Sequence, residues 1–110
     1  MTTFAGQLAF GTGHATVTPC HEESSTRDLE QTGMLVAMTR IDLTHAINNA
    51  RHLVGTRGTL VDDFGFRYLR CTMQRAAFEA PVVNDQGEHR CEYTIMYRQA
   101  ARPAGFEGGD

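Results

Sequence analysis

The sequence predicts a mainly β (α+β) fold: a small antiparallel β-barrel or sandwich of about six to seven strands, with one short helix and extended terminal arms. Three observations carry this. From Cys91 to Tyr97 the chain alternates cleanly, with Cys91, Tyr93, Ile95 and Tyr97 on one side and Arg90, Glu92, Thr94, Met96 and Arg98 on the other. That period of two marks a half-buried strand. After Thr44, the residues Ala46, Ile47, Ala50, Leu53 and Val54 form a single helical stripe. Turn-forming clusters, Asp62-Asp63-Phe64-Gly65 and Asn84-Asp85-Gln86-Gly87, then separate apolar runs.

Taken in order, Phe4, Leu8 and Phe10 fall on one side of a loose alternation over 3–10, and Gly11-Thr12-Gly13 forms a turn. A short strand from His14 to Thr18 is expected to stop at Pro19, which cannot donate to a ladder. Residues 19–33 hold one clear apolar side chain, Leu29, and read as a long polar loop. Met34 to Leu43 is the strongest strand of the first half, with Leu35, Ala37, Ile41 and Leu43 on one face. Thr44 is the expected N-cap of a helix over 45–54 that ends at Gly55. Gly58–Val61 is a short strand, 66–80 a long one, and 89–99 the last. The final two form a predicted hairpin that sets Cys71 opposite Tyr97 and Met73 opposite Ile95, with Tyr93, Tyr97 and Arg75 facing inward. The organisation is one β-rich domain over 1–99, containing the loop 19–33, and a C-terminal arm over 100–110.

A chain of 110 residues makes one domain and buries enough surface to need no staple. No apolar run approaches the ~20 residues of a membrane span. Met1-Thr2-Thr3-Phe4 lacks the features of a secretion signal, so synthesis inside the cell is expected. The net charge of −3 argues against a dedicated nucleic-acid binder. All 10 basic residues are arginine, which fits either a GC-rich coding bias or use at protein contacts. The 3 cysteines make an odd set, which argues against a disulfide framework, and Cys71 and Cys91 read as small buried hydrophobes.

No constellation specifies a chemistry. His14, Cys20 and His21 lie close in sequence, as do His89 and Cys91, and His45 and His52 share a helix face. None has the spacing of a zinc site, so no metal and no cofactor is expected. Ser24 and Ser25 lack a nucleophile elbow, and Cys20 beside His21 lacks an orienting group. Asp62-Asp63 fits turn chemistry better than a paired-carboxylate site. Met34, Met38, Met73 and Met96 read as gap-filling core or as an adaptable contact surface.

The segments Met38-Thr39-Arg40-Ile41-Asp42-Leu43-Thr44, Leu53-Val54-Gly55-Thr56-Arg57-Gly58-Thr59-Leu60-Val61 and Tyr93-Thr94-Ile95-Met96-Tyr97 resemble a tailed-phage structural module. It is the β-barrel-plus-helix module of tail tube subunits and distal tail (baseplate hub) proteins. There a strand enters the helix, the helix exits at a glycine before a Gly-Thr-Leu strand, and a Tyr-Thr-Ile strand closes the barrel. The likeness covers about residues 34–99. It implies a non-enzymatic structural subunit of a phage or phage-like particle, in the tail, baseplate or head–tail region. The subunit would act by ring or stacked self-assembly, in a virion assembled in the host cytoplasm. Partners would be other copies and neighbouring virion proteins, with no membrane and no specific nucleic-acid binding. The expected interface residues are Glu22, Glu23, Arg27, Asp28, Leu29 and Glu30 of the loop, Arg51 of the helix, and Arg102 and Phe106 of the arm. A small ligand-binding or enzymatic β-barrel and a capsid decoration protein are the alternatives.

Overall fold

The structure is a computed structural model that describes residues 3–4, 15–22 and 26–100, with the backbone alone at 15 and 20–22. The elements are β1 (Thr3–Phe4), β2 (Ala15–Glu22), β3 (Thr26–Ala37), α1 (Arg40–His52), β4 (Arg57–Val61), β5 (Arg67–Phe78), β6 (Val82–Val83) and β7 (His89–Ala100). The strands make one 7-stranded sheet in the order β1-β4-β5-β7-β3-β2, with β6 attached to β7. Every pairing is antiparallel. The sheet curls into a half-barrel, and α1 packs on it against β3, β5 and β7.

The odd-numbered residues of β3 and β7 supply the interior: Leu29, Gln31 and Leu35 from β3, and Cys91, Tyr93, Ile95 and Tyr97 from β7. Phe4, Leu60, Cys71 and Met73 add to it from β1, β4 and β5, and Leu43, Ala50 and Leu53 from α1 and its cap. Phe4 and Tyr97 meet at a ring-centroid distance of 5.0 Å with planes tilted by 55°. The alternation read in 91–97 is therefore the inner face of the central strand.

Several expectations are corrected. Residues 19–33 are no long loop: β2 runs through Pro19 to Glu22 and β3 begins at Thr26. Pro19 pairs with Leu29 inside β2, the terminal strand of the sheet, where a missing donor is tolerated. The strand expected over 34–43 stops at Ala37, because Thr39 is extended (φ −131°, ψ 156°) and its hydroxyl accepts from the Asp42 amide at 3.1 Å. Thr39, not Thr44, is thus the N-cap, and Thr44 lies in the first turns with its hydroxyl donating to the Arg40 carbonyl at 2.9 Å. Ile41 is exposed in consequence, while Leu43 joins the core. At the other end Leu53 is the C-cap and Gly55 takes φ +90°, as a post-helical glycine does. Val54, placed on the buried stripe, is 43 % exposed.

The β5–β7 register is corrected as well. Cys71 pairs with Gln99 and Met73 with Tyr97; a bulge at Gln74 then makes Ala76 face Ile95 and Phe78 face Tyr93. The turn falls inside 81–88 as expected, but it is centred between Asn84 and Glu88, whereas pairing Cys71 with Tyr97 would centre it on Asn84, and this shift moves the whole ladder. Asn84 Oδ1 accepts from the Gln86 and Glu88 amides at 3.0 and 2.9 Å, and Gly87 takes φ +80°. Added residues around Pro81, which has no amide hydrogen, and at Gln74 then each slip the ladder by one on the way out from the turn. The bulge also puts Arg75 in solvent instead of beside Tyr93 and Tyr97. Cys71 and Cys91 are free thiols.

Candidate interaction site

Gln31 is a fully buried polar side chain on the inner face of β3, opposite Ile95 of β7. Its Nε2 donates to the Tyr93 hydroxyl at 3.0 Å, and its Oε1 accepts from the Tyr97 hydroxyl at 2.7 Å. Burial pushes the pKa of both tyrosines above the usual phenol value, so both stay neutral at physiological pH. The Cys71 thiol is pushed up to about 11 by burial, and the Cys91 thiol is also raised by burial. Cys71 Sγ lies 3.3 Å from the Tyr68 carbonyl, and Cys91 Sγ 3.1 Å from that of Glu79. Thiols with raised pKa values inside a core are poor nucleophiles. Groups of three or more His, Cys, Asp or Glu side chains able to hold a metal do not occur among the described residues.

The expected interface residues disperse. Leu29 is fully buried, so it is a core contact and not a surface anchor. Its neighbours in β3 act within the sheet. Arg27 donates to Gln99 Oε1 from Nε at 3.1 Å and from Nη2 at 2.6 Å, and lies 5.8 Å from the Tyr68 ring centre. Asp28 accepts from Arg98 Nε at 3.1 Å. Glu30 is half-buried, and Arg51 sits 5.2 Å over the Phe78 ring. For Glu22 the structure gives the backbone pairing with Arg27. Glu23, Arg102, Phe106 and His14 lie outside the described residues, as do the side chains of Cys20 and His21.

Surface features that the sequence reading missed are apolar. In the β4–β5 turn, Asp62 Oδ1 accepts from the Phe64 and Phe66 amides, both at 2.9 Å, and Gly65 takes φ +86°. Tyr68 donates to Asp62 Oδ2 at 3.3 Å, and its pKa is raised by burial and then by the Asp62 charge. This hydrogen-bonded turn presents two phenyl rings to water: Phe64 is 84 % and Phe66 66 % exposed. The signal was present as two phenylalanines inside turn composition.

A second apolar surface lies where β3 ends and β7 begins. Ala37 pairs with His89, which pairs with Val83. Between α1 and β6 runs a groove of about 420 Å³, with Leu43, Ile47, Pro81 and Val83 in its lining together with Arg40 and His89. Val83 is 60 % exposed, and Met38, Ile41 and Val82 are also exposed at this end. Another groove, of about 520 Å³, has Thr16, Thr32 and Thr94 with Glu79 and Glu92 in its lining, and is more polar. The outer edge of β2 has no strand partner among the described residues. Neither a protein-family model, nor a curated protein, nor a solved structure matches the chain.

Proposed function

We propose that the chain is a non-enzymatic structural subunit of a phage or phage-like particle, in its tail, baseplate or head–tail region, working by ring or stacked self-assembly. The observation that carries this is the open sheet: a half-barrel whose terminal strand β2 keeps its outer edge unpaired among the described residues. A free edge takes a further strand through main-chain hydrogen bonds, and a symmetric ring of copies is one way to cover it. Pro19 and the bulge at Cys20 limit such pairing to Ala15–Thr18. The partners are other copies and neighbouring particle proteins. The concave face favours this over a ligand-binding barrel, because Gln31, Tyr93 and Tyr97 bond to one another instead of pointing free groups at a guest.

The test is to purify particles from cultures that carry the gene and locate the chain by mass spectrometry and immunogold labelling. The chain is expected in the particle fraction, and the recombinant protein is expected to form rings or stacks in electron micrographs. A chain confined to the free-protein fraction overturns the reading.

A further inference from the structure

We infer that two copies pack outer face to outer face about a two-fold axis that crosses the strands, so that the basic end of each sheet lies on the acidic end of the other. The outer face is built from the residues that alternate with the inward set Leu29, Gln31, Tyr93, Ile95 and Tyr97. Cross-strand partners share a face, so the registers draw it as rows. At one end Arg57, Thr72, Arg98 and Asp28 are successive partners on β4, β5, β7 and β3. Arg75, Met96 and Glu30 form the second row. Ala77, Thr94, Thr32 and Thr16 form the third. In the fourth the Glu79 amide donates to the Glu92 carbonyl at 2.9 Å, and Glu92 pairs with Met34.

Charge, shape and area each point to a second copy. Arg57, Arg75 and Arg98 stand at one end, offset in part by Asp28 and Glu30, and Glu79 and Glu92 stand at the other. Along β7, Arg98 and Glu92 are ~20 Å apart at ~3.3 Å per residue. Glu79 and Glu92 have no ion pair among the described residues, and like charges side by side across two strands are unfavourable until a cation meets them. Arg90, beyond them on β7, is bonded to Glu88 at 3.0 Å. A two-fold axis along the rows reverses the strands, so Arg98 of each copy lies over Glu92 of the other and the second row lies over the third. The short side chains of the third row line the groove of about 520 Å³, and the longer Arg75 and Met96 of the second row are the ridge that enters it. Methionine adapts to such a seat. Strands ~4.8 Å apart and rows ~6.6 Å apart make the face roughly 20 × 25 Å, so about 1,000 Å² is covered on the two copies before side-chain relief is counted, the level a specific contact must clear. The same surface serves on both copies, so the contact is isologous and closes at two, without using the β2 edge. This deepens the self-assembly reading and rests on it for the choice of a second copy, yet the two fail separately. Normal particles assembled from a variant that cannot make the contact sink the contact alone, and the contact made by a chain absent from particles sinks the particle role alone.

The experiment is sedimentation velocity on the full chain up to about 1 mM, which covers contacts of this size. Two charge-reversed variants are compared: E79R/E92R, whose outer face is basic at both ends, and R57E/R98E, whose outer face is acidic at both ends. All four side chains are exposed, so both variants should keep the wild-type circular dichroism. Wild type is expected to associate with rising concentration, and less as salt screens the exposed charges. Each variant alone is expected to associate at least about tenfold more weakly. Their equimolar mixture is expected to associate as wild type does, because a wholly basic face then meets a wholly acidic one. Should R57E/R98E fail to fold without the bond from Arg98 to Asp28, R57E/R75E replaces it, since Arg75 is exposed in the adjoining row. A wild type that stays monomeric overturns the inference. So does wild-type association kept by either variant alone, which places the contact on another surface, and so does a mixture that stays monomeric.

Discussion

Removing the Tyr97 hydroxyl should destabilise the protein only while Gln31 is present. Tyr97→Phe leaves the ring in its stack with Phe4 and deletes the donor to Gln31 Oε1 at 2.7 Å. That oxygen belongs to a side chain with no solvent exposure, so it is stranded, and a stranded buried acceptor costs roughly 1–3 kcal/mol. Gln31→Leu, of similar volume, strands the groups on the other side: Tyr97 loses its acceptor and Tyr93 its donor. In Q31L/Y97F the orphaned Tyr97 hydroxyl is gone, so the second substitution should add almost nothing or restore stability. The expected coupling is about 1–3 kcal/mol, within the range for residues sharing one hydrogen-bond network. Urea unfolding followed by far-UV circular dichroism measures it. A change of 2 kcal/mol moves the midpoint by ~1 M at the slopes usual for a small domain. If the two substitutions add within about 0.5 kcal/mol, the hydrogen bond is not where the structure puts it.

Thr39→Ala should cost about 1 kcal/mol, as the loss of an N-cap does, whereas Thr44→Ala should be neutral or slightly stabilising; equal effects in urea melts would return the helix start to Thr44. Leu29→Ala should cost ~2–5 kcal/mol as a core truncation and Glu30→Ala under ~0.5; a harmless Leu29→Ala would revive the loop reading. Arg70 lies at φ +57° where β5 slips against β4, so Arg70→Gly should be more stable than Arg70→Ala by ~1 kcal/mol, the reverse of the usual strand preference, and Ala above Gly would refute that backbone. The Cys71 thiol, raised from 9.0 to about 11, contributes stability that is full below pH 9 and is lost as pH climbs toward 11, because the unfolded chain gives up that proton first. Cys71→Ala should therefore show a shallower loss of stability across that window, and an unchanged slope would contradict the burial.

What the sequence made legible followed from strict alternation and from punctuation. The inward set Cys91, Tyr93, Ile95 and Tyr97 is correct because both faces of β7 obey the rule over its whole length. The turns at Asp62–Gly65 and Asn84–Gly87 are correct because few residues accept their dihedrals. The hairpin of β2 and β3 was hidden by the residues on its inner face. There Gln31 sits between Leu29 and the Gly33 position, so a polar side chain and a glycine interrupt the apolar half of the alternation. Gln31 is legible as a core residue only once Tyr93 and Tyr97 are known to lie diagonally across from it. The β5–β7 register failed because the turn is centred between Asn84 and Glu88 and not on Asn84, and the side of Arg75 failed because of the bulge at Gln74. A bulge depends on the backbone's course, and nothing in Met73-Gln74-Arg75 distinguishes a bulge from a straight strand. One such residue inverts the side of everything after it, which is why Arg75 was placed inside. The exposed phenylalanines could be read from composition, but a turn between two β-strands directs attention to its glycine and aspartates instead.

The same irregularities that defeat register reading shape the surface on which assembly would depend. The ladder slips at Cys20 in β2, at Leu69–Arg70 in β5 and again at Gln74. Each added residue bends its strand and tightens the local twist, which curls the sheet over α1 without closing it. A half-barrel left with two edges would ordinarily be prone to indiscriminate strand pairing. Here the edges are partly blunted. Pro19 removes a donor from β2, the slip at Cys20 breaks its run, and on the opposite side the two-residue β1 covers Leu60 and Val61 of β4. With pairing confined to Ala15–Thr18, main-chain hydrogen bonds would fix where a neighbour adds but leave much of the discrimination to side chains. Discrimination then falls to side chains that protrude where the backbone is rigid, and Phe64 and Phe66 on their aspartate-held turn meet that description.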